Sequence, residues 1–301
     1  MYAYLISHNG LGDNLFMVGA LRFLLSYYNA IYFICKRRNY ANVVLFFSDE
    51  PRIVCVPIDE THESREIANV VRDKYENPDC DVLVCGQFHK SYLRSKITNP
   101  RFLEYNSLKS DYTIEYDTIT NDTYSFIESF YQDIGLNLTH FYDYFVLPQM
   151  SESRALYENI RKYYIVFIQS KCSDGRQLNI TELVTKYAHD DKTLLISNDQ
   201  NLYDPTRQPV KYELCQPFVH NKLVNYVDTI KNSDEIYIID SCFVGIVLPY
   251  LKAGDLKAGD LKAGDLKAGD LKAGDLKAGD LKAGDLKVRI IRRDLVSATI
   301  V

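Results

Sequence analysis

The residues able to do chemistry cluster in a few short stretches. In "LISHNGLGDNLFMVGALRFL" (5–24), Gly10, Gly12, Asp13 and Asn14 stand between a short apolar run and a longer one that contains a single charge, Arg22. Glycine permits positive φ and lets a ligand approach the backbone closely, so a Gly-X-Gly-Asp turn leading from a strand into a helix makes a ligand lip. The carboxylate has a second use, because Asp13 or Asn14 can cap the first N–H groups of the helix. Position 15 is Leu where a dinucleotide fingerprint has its third glycine, which disfavours an NAD site. "FIQSKCSDGR" (167–176) offers Ser170, Lys171 and Arg176, and "IIDSC" (238–242) offers Asp240, Ser241 and Cys242, each after a β-rich run. Asn198 and Asp199 end another such run. His8 and His89 fall near strand ends, as acceptor contacts or as structural residues, and Arg22 either reaches toward a ligand or extends its head to solvent. "DCD" (79–81) precedes a strand instead of following one, and the seven cysteines are scattered with no C-x-x-C pair. Neither a metal, another cofactor nor a disulfide framework is indicated.

These stretches need elements to position them. Tyr2 to Ser7 reads as a buried strand and Asn14 to Tyr28 as a helix. Strand-like runs follow at 31–36, 53–58 and 81–86, with helical potential at Ser64 to Tyr75 and again near Tyr124 to Ile134; residues 87–120, polar and tyrosine-rich, form acceptor-facing loops or remain unassigned. "FVLPQMSESR" (145–154) reads as a linker, which puts the domain boundary near Pro148 and gives domains 1–148 and 149–301. The second half repeats the rhythm. Strands are predicted at 163–170, 193–197, 235–240 and 288–293, and helices at about Ile180 to Ala188, with Asn179 as its cap, and Asn221 to Lys231. Such alternation predicts parallel sheets covered by helices, and two α/β domains facing each other bind ligands at the C-terminal ends of their strands.

At 301 residues and 47% hydrophobic, the chain can build two cores. A formal charge of -5 argues against a nucleic-acid partner, since phosphate contacts need concentrated Lys and Arg. No apolar stretch reaches the roughly 18 residues of a membrane span, and no signal-peptide pattern opens the chain. The thiol usage fits a reducing compartment, so a soluble, cytoplasmic protein without a transmembrane segment is expected.

The pentapeptide "LKAGD" runs seven times without error from Leu251 to Asp285, followed by Leu286-Lys287. Each copy carries one Lys and one Asp and is neutral. A five-residue period advances a helix by about 140° per copy, so the leucines spiral without forming a stripe. An odd period also fails strand alternation. Read as "GDLKA" it is similar to pentapeptide-repeat solenoids, but seven copies make fewer than two coils. The array (251–287) is expected to be a tandem expansion in a surface loop, either disordered or weakly coiled, that interrupts the second domain.

"GLGDNLFMVGALRFL" resembles the N-terminal motif of the heptosyltransferase-type glycosyltransferases, glycosyltransferase family 9. "EIYIIDSCFVGIVLPYL" (235–251) resembles the late motif of the same class, in which an Asp or Ser after a strand opens a helix beside the donor phosphates. "FIQSKCSDGR" falls where the family has a strand, a small-residue turn and a basic residue, although the family's His-Pro-Gly-Ser is absent. The resemblance implies the GT-B architecture, two Rossmann-like domains around a cleft. It implies transfer of a sugar from a nucleotide-sugar donor to a glycan or other hydroxyl acceptor, with inversion and without a metal. Asp13 would then be the general base on the acceptor hydroxyl. Gly10, Gly12 and Asn14 would shape that turn, and Ser170, Lys171, Arg176, Asp240, Ser241 and Cys242 would contact the donor. Plain capping by Asp240 and Ser241, or solvated charges at Lys171 and Arg176, would serve equally. The first turn also looks like the Gly-Leu-Gly-Asn turn of GT-B fucosyltransferases, and a non-catalytic α/β nucleotide- or sugar-binding protein would keep the same elements.

Overall fold

The computed structural model describes residues 1–7, 10–75, 79–85, 123–172, 175–187, 189–256 and 288–291. The chain divides into two compact units, Met1–Pro148 and Gln149–Val301. His8, His89, the stretch 87–120 and the array from residue 257 onward lie outside the described residues.

In the first unit, β1 (Tyr2–Ile6), β2 (Ala30–Lys36), β3 (Ile53–Ile58) and β4 (Cys80–Val84) form a parallel sheet of order β3-β2-β1-β4. Apolar residues alternate between its faces and both sets are buried: Tyr4, Ile6, Ile34 and Val82 pack with Ile67 of α4 (Glu63–Tyr75), while Ala3, Leu5, Phe33 and Leu83 point the other way. Between β2 and β3 the chain makes short helical turns, including α3 (Tyr40–Val43).

The single helix expected after β1 is two. α1 (Leu11–Phe16) and α2 (Val18–Leu24) break at Met17, where the hydroxyl of Tyr131 in α5 (Thr123–Asp133) enters the ladder. The Tyr131 hydroxyl donates to the Phe16 carbonyl at 2.8 Å and accepts from the Ala20 amide at 3.1 Å, in place of the direct i to i+4 bond. Burial pushes that phenol's pKa well up, so it stays a donor. Two residues on, Gly19 lies under the backbone of α6 (Thr139–Asp143), and a Cβ there would stand 2.5 Å from the His140 carbonyl oxygen. Arg22 is partly buried and donates to the Phe46 carbonyl at 3.3 Å. It pairs with Asp49 at 2.7 Å.

The second unit repeats the plan with β5 (Tyr164–Ile168), β6 (Thr193–Ser197), β7 (Glu235–Ile239) and β8 (Val288–Ile291), all parallel, in the order β6-β5-β7-β8. The linker reading of 145–154 fails at its end, because Ser151 starts α7 (Ser151–Ile160). Buried Ser153 there accepts the Asp228 amide of α10 (Val227–Lys231) at 3.0 Å, a role set by the fold and invisible locally. The helix expected over 221–231 is a 3-10 turn, Leu223–Tyr226, followed by α10. α8 (Thr181–Tyr187) has the Asn179 side chain accepting from the Thr181 amide at 3.0 Å, and α9 (Pro209–Cys215) follows β6. At the N-terminal ends of β5 and β7, the buried Glu235 carboxylate accepts hydroxyls from Tyr187, Tyr237 and Tyr164 at 2.7, 2.8 and 2.9 Å.

The first repeat copy corrects the expectation of a structureless array. Leu251, Lys252 and Ala253 form the last turn of α11 (Val244–Ala253), and Gly254 ends it in the left-handed conformation at φ 75°, which glycine takes without strain. The Asp255 amide donates to the Tyr250 carbonyl at 2.9 Å and its carboxylate pairs with Lys231 at 3.2 Å. Leu256 is buried, 4% exposed. A pentapeptide with no amphipathic face thus closes a helix when the preceding residues supply one.

Candidate functional site

Each sheet begins in its interior: the chain runs outward on one side, then crosses back to the other. The reversal lies between β1 and β4 in the first unit and between β5 and β7 in the second. In open α/β sheets such switch points, at the C-terminal strand ends, are where ligands bind.

At the first switch point the turn after β1 carries Gly10, Gly12, Asp13 and Asn14. The helix starts earlier than its sequence suggests: Gly10 is its N-cap, Gly12 lies inside the first turn, and Asp13 is the third helical residue. Neither Asp13 nor Asn14 is therefore the N-cap. Asp13 reaches back, and its Oδ2 accepts the Gly10 amide at 3.1 Å, half of a capping box. This contact explains the glycine, since a Cβ at position 10 would stand 2.5 Å from that oxygen. Asn14 is fully buried and its Oδ1 accepts the Ser7 hydroxyl at 3.3 Å, tying the helix to the end of β1. Asp13 stays half-exposed, and a carboxylate has acceptor capacity beyond one N–H.

At the second switch point two stretches distant in sequence meet. The Gln169 amide nitrogen, on a side chain only 2% exposed, donates to the Ser241 hydroxyl at 2.5 Å and to the Lys171 carbonyl at 3.2 Å. Cys242 Sγ lies 4.0 Å from the same nitrogen. From the end of β6, Asp199 Oδ2 accepts the Ser170 amide at 2.8 Å, the Ser170 hydroxyl at 3.0 Å and the Lys171 amide at 2.8 Å. Ser170 is fully buried in this arrangement. Beyond it Lys171 bridges to Gln177 in antiparallel fashion, and the Cys172 amide donates to the Arg176 carbonyl at 3.0 Å. Gly175 turns this hairpin at φ 85°, in the left-handed region. Lys171 is exposed and Arg176 half-buried. Asp240, Ser241 and Cys242 lie in the turn ahead of α11, whose N-cap is Phe243, so none of the three is its N-cap.

The sequence had pointed to both stretches. It marked Asp199 only as the end of a β-rich run and Gln169 only as part of "FIQSKCSDGR", and gave neither a partner. Among the described residues no cluster of His, Cys, Asp or Glu could hold a metal, and no helix is long and apolar enough to cross a membrane.

No protein-family model and no curated protein matches the chain. Among solved structures it is similar to a glycosyl transferase of family 9 from Veillonella parvula DSM 2008, with 14% identity over 82% of this chain and 78% of that one and a TM-score of 0.48. It is similar to the ADP-heptose lps heptosyltransferase II of E. coli, with 14% identity, coverage of 81% and 80% and a TM-score of 0.46. For E. coli heptosyltransferase WaaC with ADP the values are 13%, 83% and 84%, and 0.43.

Proposed function

We propose that this chain is a glycosyltransferase that moves a sugar from a nucleotide-sugar donor to a hydroxyl acceptor, with inversion and without a metal. The observation that carries the reading is the meeting of Gln169 and Ser241 at the β5/β7 switch point, which joins the two stretches whose sequence resembles donor-side motifs. The donor belongs to that unit. Lys171 and Arg176 offset the charge of the departing diphosphate, while Asp240, Ser241 and Cys242 border the donor. Ser170 acts within the turn, its donors being held by Asp199.

On the acceptor side, Gly10, Gly12 and Asn14 fix the first turn and Asp13 takes the proton. A sugar hydroxyl is a poor nucleophile, and a carboxylate in hydrogen-bond reach removes its proton as the new bond forms. The acceptor oxygen bonds to the anomeric carbon, the bond from that carbon to the diphosphate oxygen breaks with its electron pair, and the nucleoside diphosphate leaves. Inversion follows from the single displacement.

A second reading has its own support. The Asp13–Gly10 bond is a sufficient reason for the carboxylate, and a nucleotide- or sugar-binding protein without catalysis would retain it. The full chain, screened by thermal shift against UDP-, GDP-, CMP- and ADP-linked sugars, should melt higher with one of them, because a ligand of the folded state alone stabilises it. A flat response to every nucleotide and nucleotide sugar would sink the glycosyltransferase reading. With a donor in hand, Asp13→Asn should lower turnover by about a hundredfold to ten-thousandfold while donor affinity holds. Near-parental turnover would remove Asp13 from the mechanism, and binding without any turnover in the parent would favour the second reading.

A further inference from the structure

At the exits of neighbouring strands in the second unit lie two buried side-chain oxygens with no hydrogen-bond partner among the described residues, Gln169 Oε1 and Asn198 Oδ1. Native proteins leave few such atoms. Ile168 and Ser197 pair in register across β5 and β6, so the residues that follow them, Gln169 and Asn198, leave neighbouring strands at the same level.

Neither amide can be turned over to cure this. The Gln169 nitrogen faces the Lys171 carbonyl at 3.2 Å, which needs a donor, and the Asn198 nitrogen faces the Asp199 carboxylate at 3.0 Å, which needs one too. Both oxygens are thereby fixed as acceptors. Over the same turn, the backbone N–H groups of Ser170 and Lys171, the donors with which a strand-exit turn would take an anion, are spent on Asp199. The site offers acceptors and withholds donors, the opposite of a phosphate cradle.

We infer that Gln169 Oε1 and Asn198 Oδ1 form a subsite for adjacent ring hydroxyls of a sugar, and that the anionic part of the same ligand is held elsewhere. Neutral amide oxygens suit neutral O–H donors, and a diol supplies one donor to each. The inference rests on the glycosyltransferase reading for the source of the sugar, which is either the ribose of the nucleotide or the sugar to be transferred.

The test uses the full chain and isothermal titration. The parent should bind a ribonucleoside diphosphate at least about tenfold more tightly than its 2′,3′-dideoxy counterpart, or a nucleotide sugar at least tenfold more tightly than its ring-deoxygenated counterpart, since one unanswered buried acceptor is worth about that much. The first pair assigns the subsite to ribose and the second to the transferred sugar. Gln169→Met should cut the discrimination by about tenfold, to what Asn198 alone supports, and an equal loss for hydroxylated and deoxygenated probes would overturn the subsite. Asn198→Ala carries the same expectation should Gln169→Met fold poorly. Equal binding of hydroxylated and deoxygenated probes by the parent overturns the subsite while leaving the glycosyltransferase reading intact. If neither nucleotides nor nucleotide sugars bind the parent, both fall.

Discussion

The two switch points are held by contacts of opposite range. After β1 the turn is closed by its own neighbours: Asp13 bonds to Gly10 three residues away and Asn14 to Ser7 seven away. After β5 it is closed by residues from other strands, with Asp199 lying 29 positions from Ser170, and Ser241 lying 72 from Gln169. A local turn can form as soon as its helix nucleates. A turn built on distant side chains exists only once the whole sheet has assembled, and its single polar anchors carry correspondingly more.

That contrast sets the order of several expected effects. Asp199→Ala removes the acceptor of four donors, two of them on buried Ser170, and should cost about 3 kcal/mol in urea unfolding. If it costs no more than a surface substitution, the second turn does not depend on its long-range anchor. The first unit has a long-range clamp of its own, and Tyr131→Phe, which strands the Phe16 carbonyl and the Ala20 amide, should cost about 2 kcal/mol. A neutral result there would mean that α1 and α2 close into one continuous helix, which the Ala20 amide's exchange rate would report. Asp13→Ala loses only a local cap and should cost about 1 kcal/mol. A larger loss would erase the difference between the two turns.

A smaller, pH-dependent effect belongs to the far ends of β5 and β7. Burial alone would raise the Glu235 carboxyl, yet the phenols of Tyr187, Tyr237 and Tyr164 and the Lys186 ammonium hold it below its ordinary value of 4.5. The unfolded chain therefore takes up that proton before the folded one. The contribution is complete above the ordinary carboxylate range and is lost as pH falls through the folded value. Melting temperature followed downward from neutral pH should fall less steeply below about 4.5 in Glu235→Gln than in the parent. Equal slopes would show that the three phenols do not favour the charged form. Smallest of all, removing six of the seven copies so that a single "LKAGDLK" joins Tyr250 to Val288 should leave the melting temperature almost unchanged, since the end of α11, Gly254, Asp255 and Leu256 are all kept. A chain that becomes insoluble would make the deleted copies part of the core.

How far the sequence reveals this arrangement follows the same division of range. β3 at Ile53–Ile58 and β6 at Thr193–Ser197 are apolar β-rich runs bounded by polar turns, and their limits can be read off directly. The Gly10–Asp13 turn is legible too, because its partners are neighbours, although which residue caps the helix is settled by Asp13 reaching backward. The break at Met17 is not legible, since its cause, Tyr131, lies more than a hundred residues away and nothing in "LFMVGAL" disfavours one helix. Ser153 reads as linker because the amide it serves belongs to a helix 75 residues further along the chain. Asp199 is one polar residue among several after β6 until Ser170 and Lys171 are brought against it.

The repeat has a consequence at the level of the gene. Each copy is a whole number of codons and adds no net charge, so an allele that gains or loses copies by replication slippage keeps its reading frame and its electrostatics. Tyr250 is still followed by "LKAGDL" and Val288 still preceded by "LK", whatever the count. Both attachment points, the end of α11 and the start of β8, belong to the pole opposite the C-terminal strand ends that carry Gln169, Asn198 and Ser241. A change in copy number therefore leaves the residues at both attachment points as they are, provided one copy remains.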